Sequence, residues 1–416
     1  MPPLPEPPVL EHIVEQHAEG AAFLWTQRDA AVEAPHYSAQ YLVRLDERLE
    51  AHLDGLRVAG EAGWRIAAAQ REARSEAGES FAAAILALES RDMGRIEPLA
   101  ALTAVPEARR GLVGAIAWCP PGLLAPSVQA WHASPHAAER YLAVCACSVH
   151  RAEPGPGYAA YTRDRDALLR ARALRLAGEL GRPEYRETCL QHLGDPDPEA
   201  HFWAGWSAVL LGDRGDALRA LEAVALAEGP RRWQALEVAV RAMGMEHGAR
   251  FVRAMSGDVA QRRATVVALG HLGAPSAVPW LIARMADADL ARVAGEAFSM
   301  ITGADLSYED LEGEPLPGVL TGPNDDPTDE EVAPDPDEDL PWPDPARIGA
   351  WWADRQGGFR PDQRYLCGQL IDAENRARTR AEGYQPQRRA ACLEAKLGGA
   401  AGPLPVWRGR SRARPR

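Results

Sequence analysis

Lysine is all but missing from this chain: Lys396 stands alone beside 45 arginines. A phosphate loop of the Gly-x-x-x-x-Gly-Lys type needs a glycine directly before its lysine, and Ala395 occupies that place. The six cysteines form no Cys-x-x-Cys pair, which removes the common zinc and thioredoxin-like frameworks. No His-Glu-x-x-His or Gly-x-Ser-x-Gly pattern occurs, so the zinc-protease and serine-hydrolase signatures are absent. Apolar runs fall well short of the ~18 residues of a membrane helix. The start, Pro-rich with Glu6 as its one charge, lacks the basic and then apolar regions of a secretory signal. A protein of the reducing cytoplasm follows as the expectation, with no membrane span, no cofactor and no metal site.

Strand formers are sparse, whereas Ala, Leu, Arg and Glu recur throughout a chain that is 46% apolar. Summed propensity therefore predicts an all-α protein with ample material for a core. The net charge of −13 is uneven: Asp305 to Asp344 carry 15 acidic residues and no base, leaving 44 acids against 46 bases elsewhere. A body so nearly neutral has no basic stripe for a phosphate backbone, which argues against nucleic acid as the main ligand.

Leu10, Ile13, Val14, His17, Ala21, Leu24 and Trp25 recur at three- and four-residue steps, and Pro35 ends that helix. Ser38 reads as the N-cap of a second helix whose stripe is Tyr41, Leu42, Leu45, Leu49, His52, Leu53 and Leu56. Residues 1–66 are thus predicted to form a helical hairpin. Farther on, turn signals recur near Gly181, Gly212, Gly244 and Gly273, at steps of 31, 32 and 29 residues, and the helices between them cannot bury their apolar faces alone. The segment from Asp258 to Gly303 is the sharpest copy, with Arg263-Ala264 and Ala268-Leu269-Gly270 on one helix and Ala277, Val278, Leu281 and Ile282 on the next. It resembles HEAT repeats, which implies a solenoid over 80–303 and leaves function open. Ala264, Ala268 and Ala297 are expected at close helix crossings.

Residues 304–340 string Pro, Gly, Asp and Glu together with few large apolar groups and read as a loop or disordered linker. Its charge is expected to hold the Arg-rich tail, 401–416, or a basic partner. Helical periodicity returns over 341–400, including the stretch around Tyr365, Leu366, Leu370 and Ile371.

Cys147 with His150 and Cys189 with His192 have a spacing that puts both groups on one helix face, but each lacks a second pair close by and reads as chance. The HEAT-type hydroxylases that this architecture resembles hold iron through His-Glu pairs, and none of the eleven histidines here precedes a glutamate. No catalytic residue is assigned. Trp203, Trp206, Trp233 and Arg263 are the candidate anchors for a partner, since aromatic and Arg groups concentrate interface energy. His36, His52 and Asp54 are the candidates if the first hairpin and the concave repeat face enclose an active site instead.

The runs Glu15-Gln16-His17-Ala18-Glu19, Pro35-His36-Tyr37-Ser38 and Leu45-Asp46-Glu47-Arg48-Leu49-Glu50-Ala51-His52-Leu53-Asp54-Gly55-Leu56, with Leu340-Pro341-Trp342-Pro343-Asp344, Trp351-Trp352, Arg364-Tyr365-Leu366-Cys367-Gly368 and Gln387-Arg388-Arg389, are similar to an uncharacterised bacterial family that joins such an N-terminal region to HEAT-like repeats. Its members are often encoded beside type VI secretion components. The resemblance implies an accessory role in secretion or effector handling; with the repeat array and the lack of catalytic signatures, the expectation is a non-enzymatic protein-binding scaffold, an accessory or adaptor whose protein partner is a secretion component or effector. An enzyme of unknown reaction is the alternative.

Overall fold

The computed structural model describes residues 9–317, 319 and 335–410. The first helix, Glu11–Ala31, packs antiparallel on Ala39–Val58, whose N-cap Ser38 accepts from the Tyr41 amide. A third helix, Glu61–Arg74, runs through residue 66 and leads into Ala77–Ser90, which is buried along almost its whole length against the first helix.

From there one series of helices carries the core: Pro106–Trp118, Ala137–His150, Ala167–Leu180, Pro198–Leu210, Arg232–Ala242, Arg262–Leu272 and Ala291–Thr302, each packed on the next or next but one. Helices such as Asp216–Leu226 and Met245–Ser256 alternate with them. Local chemistry sets the ends. Asp166 and Asp197 cap the starts by accepting from the amides of Leu169 and Ala200. Gly181, Gly212, Gly273 and Gly303 close the turns with φ of 65°, 100°, 71° and 75°, a conformation that costs little only without a side chain. Gly244 differs: it has φ −70° and begins the next helix. Ala264 and Ala268 are fully buried, and a Cβ on Gly270 would lie 3.1 Å from the Ala297 Cα, so the last two core helices cross closely.

Two predicted features take another form. Tyr365–Leu366 and Gln369–Leu370 pair as a small antiparallel hairpin rather than a helix, because Cys367 and Gly368 both adopt positive φ, as a two-residue turn requires. The described parts of the 304–340 segment are packed: Leu306 and Leu311 share a core cluster with Phe298, Ile348 and Trp352, and Asp337 is buried against Arg263 and Arg292. Residues 318 and 320–334 of that segment, and 411–416 of the tail, lie outside the described residues. Arg408 and Arg410 meet Glu33 and Glu50 of the first hairpin, not the acidic segment, because the chain before them runs back to the array's beginning.

That return path crosses the C-terminal ends of the core helices, touching the last three first and then running back toward the first hairpin. The Tyr365 amide donates to Gly273 O (2.8 Å), and those of Cys367 and Gly368 donate to Met300 O and Ile301 O (2.8 and 3.0 Å). Arg364 donates to the carbonyls of Leu272 and Arg241. Arg214 then holds Leu397 O (2.9 Å), Arg151 holds Leu404 O (2.8 Å), and Arg28 holds Gly409 O (2.7 Å). The last carbonyls of a helix have no partner within it, so this strap satisfies groups that burial would otherwise penalise. A charge cluster fastens its middle: Glu394, on the helix Gln385–Leu397, pairs with Arg241 (3.2 Å) and Arg364 (2.5 Å).

Arg364→Ala should lower the unfolding free energy by about 3 kcal/mol, because it strips the Glu394 pair of one partner and leaves helix-end carbonyls bare. Urea melts measure this, and a loss under about 0.5 kcal/mol would contradict the strap's role. Ala297→Leu should overpack the crossing with Gly270 and cost roughly 1–3 kcal/mol in the same assay, whereas an unchanged melt would place Ala297 in looser packing.

Candidate functional site

The strap, the first hairpin and the last core helices meet around a cavity of about 410 Å³. Ala30, Glu33, Ala34 and Pro35 form one wall at the end of the first helix. Glu237, His271 and Glu296 enter from three successive core helices, among Val267, Val293, Ala297 and Met300. Asp335, Pro336, Glu338, Asp339 and Leu340 form the rim, and Pro386 and Arg389 close the side given by the strap. The segments are locked together by backbone bonds: the Gln385 amide donates to Tyr37 O (2.9 Å), and Ser38 bridges Tyr384.

Neighbours divide the polar groups into used and unused. Burial disfavours the charged form of Glu237, but Arg389, at 3.1 Å, and Arg241, at 3.5 Å, outweigh it and hold the carboxyl down at about 2. Burial and the adjacent Arg241 push His271 down to about 3, so its imidazole is neutral. Arg241 donates to its Nδ1 (3.2 Å), and since a guanidinium cannot accept, the ring proton sits on Nε2. Glu296 is the exception. Its carboxyl is enclosed by protein, its remaining accessible surface is part of the cavity lining, and among the described residues it has no hydrogen bond or ion pair. Burial without a compensating partner raises it to about 7.

A second cavity, of about 470 Å³, lies under the strap beside Arg214, Arg364 and Arg376. Its principal charges are already engaged, Arg214 with Val209 O and Leu397 O, and Arg364 with Glu394.

The residues singled out by sequence are scattered. Trp203 and Trp206 are buried, edge to face, and Trp203 lies between Arg175 (4.3 Å) and Arg231 (5.0 Å), where it serves packing. Trp233 is 43% exposed, under Arg232. Arg263 pairs with Asp337 and so holds the cavity's rim segment, and exposed His36 lies 3.9 Å from Asp339; neither lines the cavity. His52 is half-buried edge-on to His17 (5.2 Å), and burial, then His17, lowers its pKa. Asp54 is an exposed partner of Arg57 (2.6 Å). Neither Cys-x-x-His pair forms: Cys147 lies 3.6 Å from His132, His150 bonds Ile116 O, and His192 bonds Asp195.

Glu296 had a legible signal that was missed. It lies three residues after Val293 and four before Met300, on the apolar face of a helix whose interior holds no other acid. His271 and Arg389 had none, because only the fold brings them beside it.

Residues 158–244 match the family model for HEAT repeats. With its helical pairs and little sheet among the described residues, the chain is an all-α helical-repeat solenoid, of which residues 158–244 are similar to HEAT repeats. No curated protein and no solved structure matches it. No described helix is long and apolar enough to cross a membrane.

The raised carboxyl makes a signed prediction. Glu296 keeps its proton in the folded state up to about pH 7, while the unfolded chain loses it near 4.5, so its contribution to stability falls as pH rises between those values. Glu296→Gln removes that decline and leaves the other carboxylates alike in both proteins. The variant should match wild type near pH 4 and exceed it by up to about 3 kcal/mol at pH 8. A wild-type-to-variant difference independent of pH would show that the carboxyl is not enclosed.

Proposed function

We propose that this chain is a non-enzymatic protein-binding scaffold whose partner docks at the acidic cavity. HEAT repeats are suited to that work because stacked helices build an extended, rigid surface. The observation that carries the reading is the unpaired Glu296 carboxyl in an otherwise apolar stretch of cavity wall, at the meeting point of hairpin, array and strap. An unpaired buried carboxyl detracts from stability, and a site that keeps one is suited to recognition.

The finer assignment is an accessory or adaptor of a bacterial type VI secretion system, acting in the cytoplasm on a secretion component or effector. It is supported by the resemblance carried by the two ends and the middle of the chain. Those segments converge here: Pro35, Leu340 and Arg389 all line the cavity, and Trp342 stacks under Arg292, which holds the rim.

Capture experiments in the native host test the reading. The full chain and a Glu338→Arg/Asp339→Arg variant, altered only at exposed rim positions, are compared by quantitative mass spectrometry. A secretion protein enriched by the wild type and reduced at least tenfold by the variant, with unchanged melting temperature, is the expected result. Equal capture by both, or turnover of a metabolite abolished by Glu296→Gln, would overturn it.

A further inference from the structure

The cavity lining holds six carboxylates, Glu33, Glu237, Glu296, Asp335, Glu338 and Asp339, against one guanidinium, Arg389, and the neutral His271. Arg389 is taken by Glu237 and Glu33, and Asp335 is taken by Arg292. Among the described residues Asp339 has exposed His36 at 3.9 Å and no other charged partner. Glu296, less buried than Glu237 but lining the cavity, has no hydrogen-bond or ion-pair partner among the described residues. Beside it Val267, Val293, Ala297 and Met300 offer apolar wall, and His271 Nε2–H offers one donor.

We propose that the cavity is a recognition site for a single cationic group, a guanidinium or ammonium on a short apolar stem, with the Glu296 carboxylate as its counter-ion. The stem lies along the Val293 and Met300 wall, and the His271 donor meets a carbonyl where the ligand carries one. A carboxylate offers a guanidinium two parallel hydrogen bonds, the strongest polar contact available to this lining. The inference rests on reading this cavity as the binding site, but not on the ligand being a protein.

Binding of a cation requires the ionised carboxylate, so it expels the proton that burial retains up to about pH 7. The groups facing Glu296 across the cavity do not supply that dependence. Glu237 is ionised and His271 neutral throughout the accessible range, Arg389 is always charged, and Glu33, Asp335, Glu338 and Asp339 lie at the walls and rim. Affinity should therefore fall about tenfold for each pH unit below 7 and level off above it.

Isothermal titration of the full chain tests this with two probes, each carrying one cationic group: butylguanidinium, and the blocked peptide acetyl-Gly-Gly-Arg-Gly-Gly-amide, each beside a neutral control in which a urea group replaces the guanidinium (butylurea and the citrulline peptide). The expected result is binding of at least one probe, at least tenfold weaker at pH 5.5 than at pH 7.5, roughly tenfold or more weaker in Glu296→Gln, and undetectable for the neutral control. Butylguanidinium alone binding identifies a small free cation as the ligand, and the peptide alone binding identifies an Arg side chain of a partner. No binding of either probe at millimolar concentration, or pH-independent binding by the wild type, overturns the proposal whether or not the variant folds. Rim-dependent capture of a secretion protein with neither probe binding would sink this inference and leave the scaffold reading standing; probe binding without capture would do the reverse.

Discussion

The carbonyl ends of stacked helices are the constraint on which this structure depends. Each core helix from Ala167–Leu180 onward finishes with carbonyls that lack helical partners, and stacking lines those ends up along one edge. Water could satisfy them on an open solenoid. Here the chain returns from the last repeat to the first hairpin and covers them, spending the amides of Tyr365, Cys367 and Gly368 and the guanidinium of Arg364 on Gly273, Met300, Ile301 and Leu272. Arginine suits this task, since its five donors serve several carbonyls and a carboxylate at once, as Arg364 does between Leu272, Arg241 and Glu394.

Closing the edge creates the cavity. Once Arg389 pairs with Glu237 and Glu33, the strap is held against both the array and the first hairpin, and the space between them is walled on every side that these segments reach. Charge matching continues along the molecule: Arg28 is buried against Asp46 while holding the backbone at Arg408 and Gly409, and Glu179 gathers Arg172, Arg175 and Arg151. Within this pattern most buried charges are matched, and Glu296 and Arg388 are exceptions among the described residues.

The helical pairs were legible because periodic apolar stripes and turn glycines report local structure, and Gly181, Gly212, Gly273 and Gly303 do adopt the positive φ that their positions imply. The small hairpin at Tyr365 was not, because apolar residues at 365, 366, 370 and 371 fit a helix face as well as a pair of short strands. Packing of the 304–340 segment was hidden by composition: Leu306 and Leu311 are few, yet they find a core built by Phe298 and Trp352 from elsewhere in the chain. Trp203 and Trp206 look like partner anchors in a sequence and prove to be core, since exposure cannot be read from residue type. The cavity's chemistry was least legible, being assembled from residues as far apart as Glu33 and Arg389.

Amide hydrogen exchange of the full chain, resolved to single residues, tests most directly whether the strap is part of the fold. The account predicts that the amides of Tyr365, Cys367, Gly368 and Leu404, each bonded to a carbonyl of the repeat array, exchange as slowly as those inside the Ala291–Thr302 helix. Exchange of these four at the rate of an unstructured chain, with the array protected, would contradict it.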